Sequence, residues 1–240
     1  MCIRDSSRTV DHVGVFAQDV AGMALAGAVL CQAWRKVPDP DTLPVLGVPD
    51  GPYLEQADPE GLQAFRSHLS KLEKFGYTVK SVSALSDIDQ LNHLHRRMIF
   101  AEFAREHQGI YHKHATLYRP HTAEIIEIGN KIGEKELTAA RANCAALRSE
   151  LEMKMAHAGI DLWVCPSAPG PAPRGIRSTG DPNMNLPWTH AGMPVITVPA
   201  GRAPNGLPLG LQFVGSFGAD EYLIKWCQVL VDRIGDMLSE

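Results

Sequence analysis

The sequence predicts an α/β protein: part of an α/β/α sandwich with a mixed, mostly buried β-sheet. Three observations predict it. Two short apolar runs, 193–200 and 207–215, flank Gly201-Arg202-Ala203-Pro204-Asn205-Gly206, and the first carries β-branched Val195, Ile196, Thr197 and Val198 between Pro194 and Pro199. Apolar runs fenced by Gly and Pro read as buried strands, and Pro-Asn-Gly between them is hairpin-turn chemistry. A strand–helix–strand unit over 44–82 favours parallel pairing under helical cover. A long amphipathic helix over 134–157 then feeds a further apolar run, 161–166.

Taken in order, Asp19 is placed to cap a helix running to about Trp34, with Val20, Met23, Leu30 and Trp34 at helical spacing and small Gly27 between them. Residues 44–49 form a short buried strand. Asp58-Pro59-Glu60 opens the next helix with a capping acid, Pro in the first turn and a second acid near the positive dipole end. Leu62, Phe65, Leu69 and Leu72 share one face, Gly76 ends the helix, and 77–82 is the next strand. The helix over 134–157 reads as the longest, with Leu137, Ala140, Cys144, Leu147, Leu151 and Met155 as its buried stripe and Gly159 as its stop. Residues 167–180 are a Gly/Pro-rich loop, and the last helix begins at Asp220 and buries Leu223, Trp226, Leu230 and Ile234.

Between 86 and 130 lies a polar helical region holding six of the ten histidines: His93, His95, His107, His112, His114 and His121. His93/His95 and His112/His114 are i, i+2 pairs that point to different helix faces, and no H-E-x-x-H or cysteine partner accompanies them. The region reads as a solvated helical surface, with no metal and no cofactor expected.

Composition excludes several classes. A net charge of −4 leaves no basic footprint for nucleic acid. No apolar run approaches the roughly 20 residues that span a bilayer, so no membrane segment is expected. Five widely spread cysteines without a C-x-x-C pair point to reduced thiols in a cytoplasmic compartment, against a disulfide framework or zinc ribbon. Cys165, in an apolar run, reads as packing.

The segment before the hairpin concentrates polar groups: Asn183, Asn185, Trp188, Thr189 and His190 surround Pro187 at the mouth of a buried strand. Such mouths are where α/β proteins bind ligands, although asparagines and threonine there also cap turns. The stretch 185–201, then Gly206-Leu-Pro-Leu-Gly-Leu-Gln and Asp220-Glu-Tyr-Leu, resembles the C-terminal portion of the amidase signature family. That family reads G-x-P-x-x-x-x-P-x-G, G-L-P-x-G-x-Q and a D-x-x-L helix in this order. Thr189 stands where many members carry Asn, and this departure leaves the substrate class open. Thr9, Asp11 and Gly14 resemble the [S/T]-x-D-x-x-G segment that follows the catalytic Gly/Ser-rich region, with Val15, Gln18 and Gly22 departing from the usual residues.

The resemblance implies hydrolysis of a small-molecule amide by a Ser–cisSer–Lys triad, without metal or organic cofactor, and allows a homodimer of the full-length enzyme. Those triad motifs would lie N-terminal to Ser7, and no catalytic residue is found in this chain: there is no GGSS run and no G-x-S-x-G elbow. Asn185, Trp188, Thr189 and His190 are the substrate-side candidates that the resemblance implies, either touching substrate or packing the sheet mouth. Residues 1–6 back-translate to the end of a sequencing adapter, so 7–240 is expected to be a partial, metagenomic amidase signature domain, inactive alone. The alternatives are a binding or scaffold protein on the same fold, a glutamine-dependent amidotransferase component that passes the amide nitrogen on, and metal-dependent hydrolysis by the His-rich segment.

Overall fold

In the structure, a computed structural model, the backbone is described over residues 6–239 and side chains through residue 231. Of the six residues assigned to an adapter, 1–5 therefore lie outside the described residues, as does the side chain of Ile234. The elements run α1 (Val20–Leu30), β1 (Leu46–Asp50), α2 (Pro52–Glu55), α3 (Pro59–Lys74), β2 (Val79–Ser83), α4 (Ile88–His114), a 3₁₀ turn (Ala115–Leu117), α5 (Pro120–Gly129), α6 (Glu134–Ala158), β3 (Leu162–Pro166), α7 (Leu186–Ala191), β4 (Val195–Arg202), β5 (Pro208–Val214) and α8 (Asp220–Ser239).

The strands form one sheet in the order β2-β1-β3-β5-β4. β1 pairs in parallel with β2 and β3, whereas β5 is antiparallel to both β3 and β4. The sheet is thus mixed, because the strand–helix–strand half runs parallel and the hairpin half cannot. All five residues of β3 are buried, and they alternate between two cores. Leu162 and Val164 face Phe65 and Leu72 of α3, Leu223 and Leu230 of α8 and Val20 of α1. Trp163 and Cys165 face Leu151 of α6, Trp188 of α7, Tyr53 of α2 and Leu91 of α4. These two cores make the α/β/α sandwich.

Several expectations are corrected. β4 is an edge strand buried on one face only, alternating exposed Val195, Thr197 and Pro199 with buried Ile196, Val198 and Ala200. α1 stops at Leu30; it is apolar all round, and Trp34 beyond its end folds back, so that a Cβ on Gly27 would sit 2.6 Å from its ring. Only Val20 is buried on α1, and Leu25 and Val29 are 69% and 78% exposed. Asp19 does cap α1, accepting the Gly22 N–H at 2.7 Å. The Asp58 side chain makes no cap at α3 and lies against Gly170 instead. The longest helix is α4 with 27 residues against 25 in α6, a length its polar, His-rich sequence conceals. Within it His95 and His107 are buried, so the region is not simply a solvated surface.

The α6 stripe, by contrast, is buried at each of the six positions that helical spacing marks, and Gly159 closes the helix at φ 58°. Gly129 lets α5 approach α4 closely: a Cβ there would meet the Phe100 carbonyl oxygen at 2.0 Å. That oxygen is helix backbone and cannot move aside alone. Gly129→Ala is therefore expected to destabilise the protein by about 1–3 kcal/mol, read as a lowered urea midpoint with an unchanged denaturant slope.

Candidate functional site

β3 ends at Pro166, and the chain turns there into the Gly/Pro-rich loop at the carboxyl end of the parallel half of the sheet. The loop is pressed onto the first turn of α3. The Asp58 N–H donates to the Pro169 carbonyl at 2.8 Å, and a Cβ on Gly61 would sit 2.2 Å from that oxygen. Across the sheet the Ser167 N–H reaches the Gly210 carbonyl at 3.4 Å. The result is a cleft of about 410 Å³ whose lining includes Asp58, His68, Ser167, Gly170, Asp181 and Gly210.

The opposite side of the loop meets α7. Asn185 precedes that helix, and its Nδ2 donates to the Ser167 carbonyl at 3.1 Å. The first turn of α7 is thereby tied to the end of β3. Asn185 and Thr189 are half-buried, and the Asn185 carbonyl accepts the Thr189 N–H at 3.1 Å. At the rim, Arg96 Nη2 donates to Asn183 Oδ1 at 2.6 Å.

The other two sequence candidates face inward. Trp188 has no exposed surface, and of the two roles open to it the packing one is what its ring fills, turned to Tyr53 and Trp163 with ring centroids 5.7 and 6.2 Å away. Its Nε1 donates to the Tyr53 hydroxyl at 3.1 Å, which in turn donates to the Met184 carbonyl at 2.7 Å. Burial holds the Tyr53 hydroxyl well above its ordinary pKa, so it remains a donor. Gln212 Nε2 lies 3.3 Å from the same carbonyl and 3.2 Å from Cys165 Sγ. Burial pushes the Cys165 thiol up to about 11, which keeps it protonated and inert.

His190 is 1% exposed and lies between α4 and α6. Its Nδ1 is 3.0 Å from His95 Nδ1, and its Nε2 is 3.1 Å from Asn143 Oδ1. With the amide oxygen as acceptor, His190 is protonated on Nε2 and receives a hydrogen bond from His95 Nδ1. Both rings are then neutral. Burial lowers His95 to about 3, helped by the facing His190 and by Arg96, and burial lowers His190 to about 4.

Sequence reasoning missed Tyr53, Ser167 and Gln212 as the groups that set the geometry here. Gln212 is the glutamine of the G-L-P-x-G-x-Q pattern and was legible as a marked residue; Tyr53 carries no local signal. Among the described residues no group of three His, Cys, Asp or Glu side chains could hold a metal ion, and no helix is long and apolar enough to cross a membrane.

Known proteins resemble this arrangement. A solved amidase superposes with a TM-score of 0.83 and 27% identity, covering 95% of this chain and 54% of its own length. 6-Aminohexanoate cyclic dimer hydrolase shares the fold at a TM-score of 0.73 and 17% identity, covering 99% of this chain and 57% of its own length. A mitochondrial glutamyl-tRNA(Gln) amidotransferase chain of Xenopus laevis is 49% identical over 92 residues, 33% of this chain and 18% of its own length. The chain thus spans about half the length of the solved relatives that it matches.

The neutral His95–His190 pair predicts a pH dependence. Both folded pKa values lie below the ordinary 6.5, so their contribution to stability is full above pH 6.5 and is lost as pH falls toward 3–4. Urea midpoints between pH 7 and 4.5 are expected to fall by the equivalent of about 1 kcal/mol or more per pH unit below pH 6, and His95→Gln should flatten that slope. The family match extends over residues 2–224, and the chain belongs to the Amidase family.

Proposed function

We propose that this chain supplies the substrate-side wall of an enzyme that hydrolyses a carbon–nitrogen amide bond, with the Ser–cisSer–Lys triad lying upstream of Ser7. The observation that carries the reading is the joint at the end of β3, where Asn185 holds the carbonyl of Ser167, a residue that lines a cleft inside a chain of the Amidase family. Asn185 and Thr189 are the proposed substrate-side contacts. Trp188 and His190 act behind them by fixing α7.

The cleft also contains Ser167, His68 and Asp58, but no hydrogen bond joins any two of these side chains. A serine hydroxyl attacks a carbonyl only when a base within about 3 Å takes its proton. No lysine lines the cleft. These residues can hold an amide without activating a nucleophile. The apolar surface on Val13, Phe16, Leu25 and Val29 fits a face that a longer protein covers.

A second reading is favoured by the 49% identity to the Xenopus laevis amidotransferase chain: the amide would then be glutamine and its nitrogen would be passed on. The two readings differ in product. Water as acceptor releases ammonia from simple carboxamides, whereas transamidation consumes glutamine and an acyl acceptor.

The purified 240-residue chain is expected to show no turnover of benzamide, hexanamide or glutamine, since loss of a triad typically costs several powers of ten in rate. Ammonia release that resists chelation and disappears in Ser167→Ala would place the nucleophile inside this chain and overturn the reading.

A further inference from the structure

The amino-terminal turn and the helical layer meet at one buried carboxylate. Glu102, on α4, is 3% exposed. It accepts hydrogen bonds from Ser7 Oγ at 2.5 Å, Thr9 Oγ1 at 2.5 Å, the Thr9 N–H at 3.1 Å and Arg141 Nε of α6 at 2.7 Å. Two carboxylate oxygens offer about four acceptor sites, so this group is saturated. Burial pushes its pKa up, and the donors from Ser7, Thr9 and Arg141 more than offset that, holding Glu102 below the usual carboxylate value.

The turn it holds is also closed from within. The Asp11 carboxylate accepts the Ser6 N–H, Ser6 Oγ and Ser7 N–H at 2.7, 2.8 and 3.0 Å. The Val10 and Asp11 N–H groups both donate to the Ser7 carbonyl, at 3.1 and 2.8 Å. Ser7 has no exposed surface. A compact knot of residues 6–11 therefore docks as a unit on a carboxylate more than 90 residues away in sequence.

Packing α4 on α6 does not require an acid there. A buried carboxylate is costly to desolvate, and apolar residues of similar volume do as well or better for stability alone. What four directed hydrogen bonds add is placement: the turn fits in one position and one orientation. The same helix pair holds α7 through His95, Asn143 and Cys144, the last with its Sγ 3.6 Å from His190 Nε2.

We propose that Glu102 is a positioning residue that fixes the 7–11 turn on the α4–α6 pair, and so sets where that turn stands relative to the α7 wall. The consequence for catalysis rests on the amidase reading above, which puts the triad upstream of this turn; the clamp itself does not. Glu102 touches no reacting atom in this account.

Hydrogen exchange of the 240-residue chain tests the clamp with no amide substrate present, so a missing amidase activity would be scored separately. In Glu102→Gln, exchange at residues 7–11 and tryptic cleavage after Arg8 are expected to rise about tenfold or more, with β3 and the middle of α6 unchanged. Glu102→Asp, which keeps the charge and the acceptors on a shorter arm, should recover part of that protection. If Glu102→Gln does not fold, Thr9→Val and Ser7→Ala remove the donors from the other side and should raise the same local exchange. Unchanged protection at 7–11, loss of protection at 7–11 and in β3 together, or Glu102→Asp behaving like Glu102→Gln would each overturn the proposal.

Discussion

The Met184 carbonyl is the point on which the site depends. It faces the Tyr53 hydroxyl from α2 and the Gln212 amide from β5, and it sits immediately before Asn185. A buried carbonyl left without a donor costs about 1–3 kcal/mol, so this oxygen can occupy only the place where both donors reach it. Trp188 adds its indole N–H to Tyr53 from the far side. Two residues of one short segment thus grip the same tyrosine, and α7 can neither rotate nor slide without breaking both. The half-buried Asn185 and Thr189 owe their placement to this grip.

Around that point the polar interior is arranged in two different ways. At the sheet mouth the groups are neutral and bonded largely to backbone, as in the Asn185–Ser167 and Tyr53–Met184 bonds, although the buried Gln212 Oε1 has no hydrogen-bond partner among the described residues. Between α4 and α6 they include an ionised carboxylate with its arginine and two imidazoles held neutral. The first arrangement is insensitive to pH, since neither amide nor buried tyrosine titrates near neutrality. The second is sensitive, because protonating His190 at Nδ1 sets two N–H groups facing each other at 3.0 Å, and protonating His95 puts an uncompensated charge on a buried ring. The helical layer therefore responds to acid before the sheet mouth does.

Much of the fold could be read directly. The Gly/Pro fences and β-branched runs marked the hairpin, and 3.6-residue spacing located all six buried positions of α6. These signals are local and strong. The errors came where the deciding force is tertiary. α1 is apolar all round, so periodicity could not say which side is covered, and the apolar run of β4 hid an edge strand. His95 looked like a surface residue because a histidine buried neutral by a partner 95 positions away has no local signature, and His107 did because its burial against Phe103 and the Tyr118 hydroxyl depends on how the chain folds back after α4. At the site, the cluster from Asn183 to His190 was recognisable as unusual, but which of its members face inward depends on Tyr53, over a hundred residues earlier.

The central claim is that Asn185 and Thr189 present a ligand-facing wall while Trp188 and His190 hold it from behind. Amide chemical-shift mapping of the 240-residue chain titrated with benzamide tests this most directly. The account predicts saturable shifts confined to the backbone of Ser167, Asn185, Thr189 and Gly210, with the Trp188 indole N–H unmoved. Shifts centred on the Trp188 indole, or a saturable response lying wholly outside the end of β3 and the first turn of α7, would contradict it.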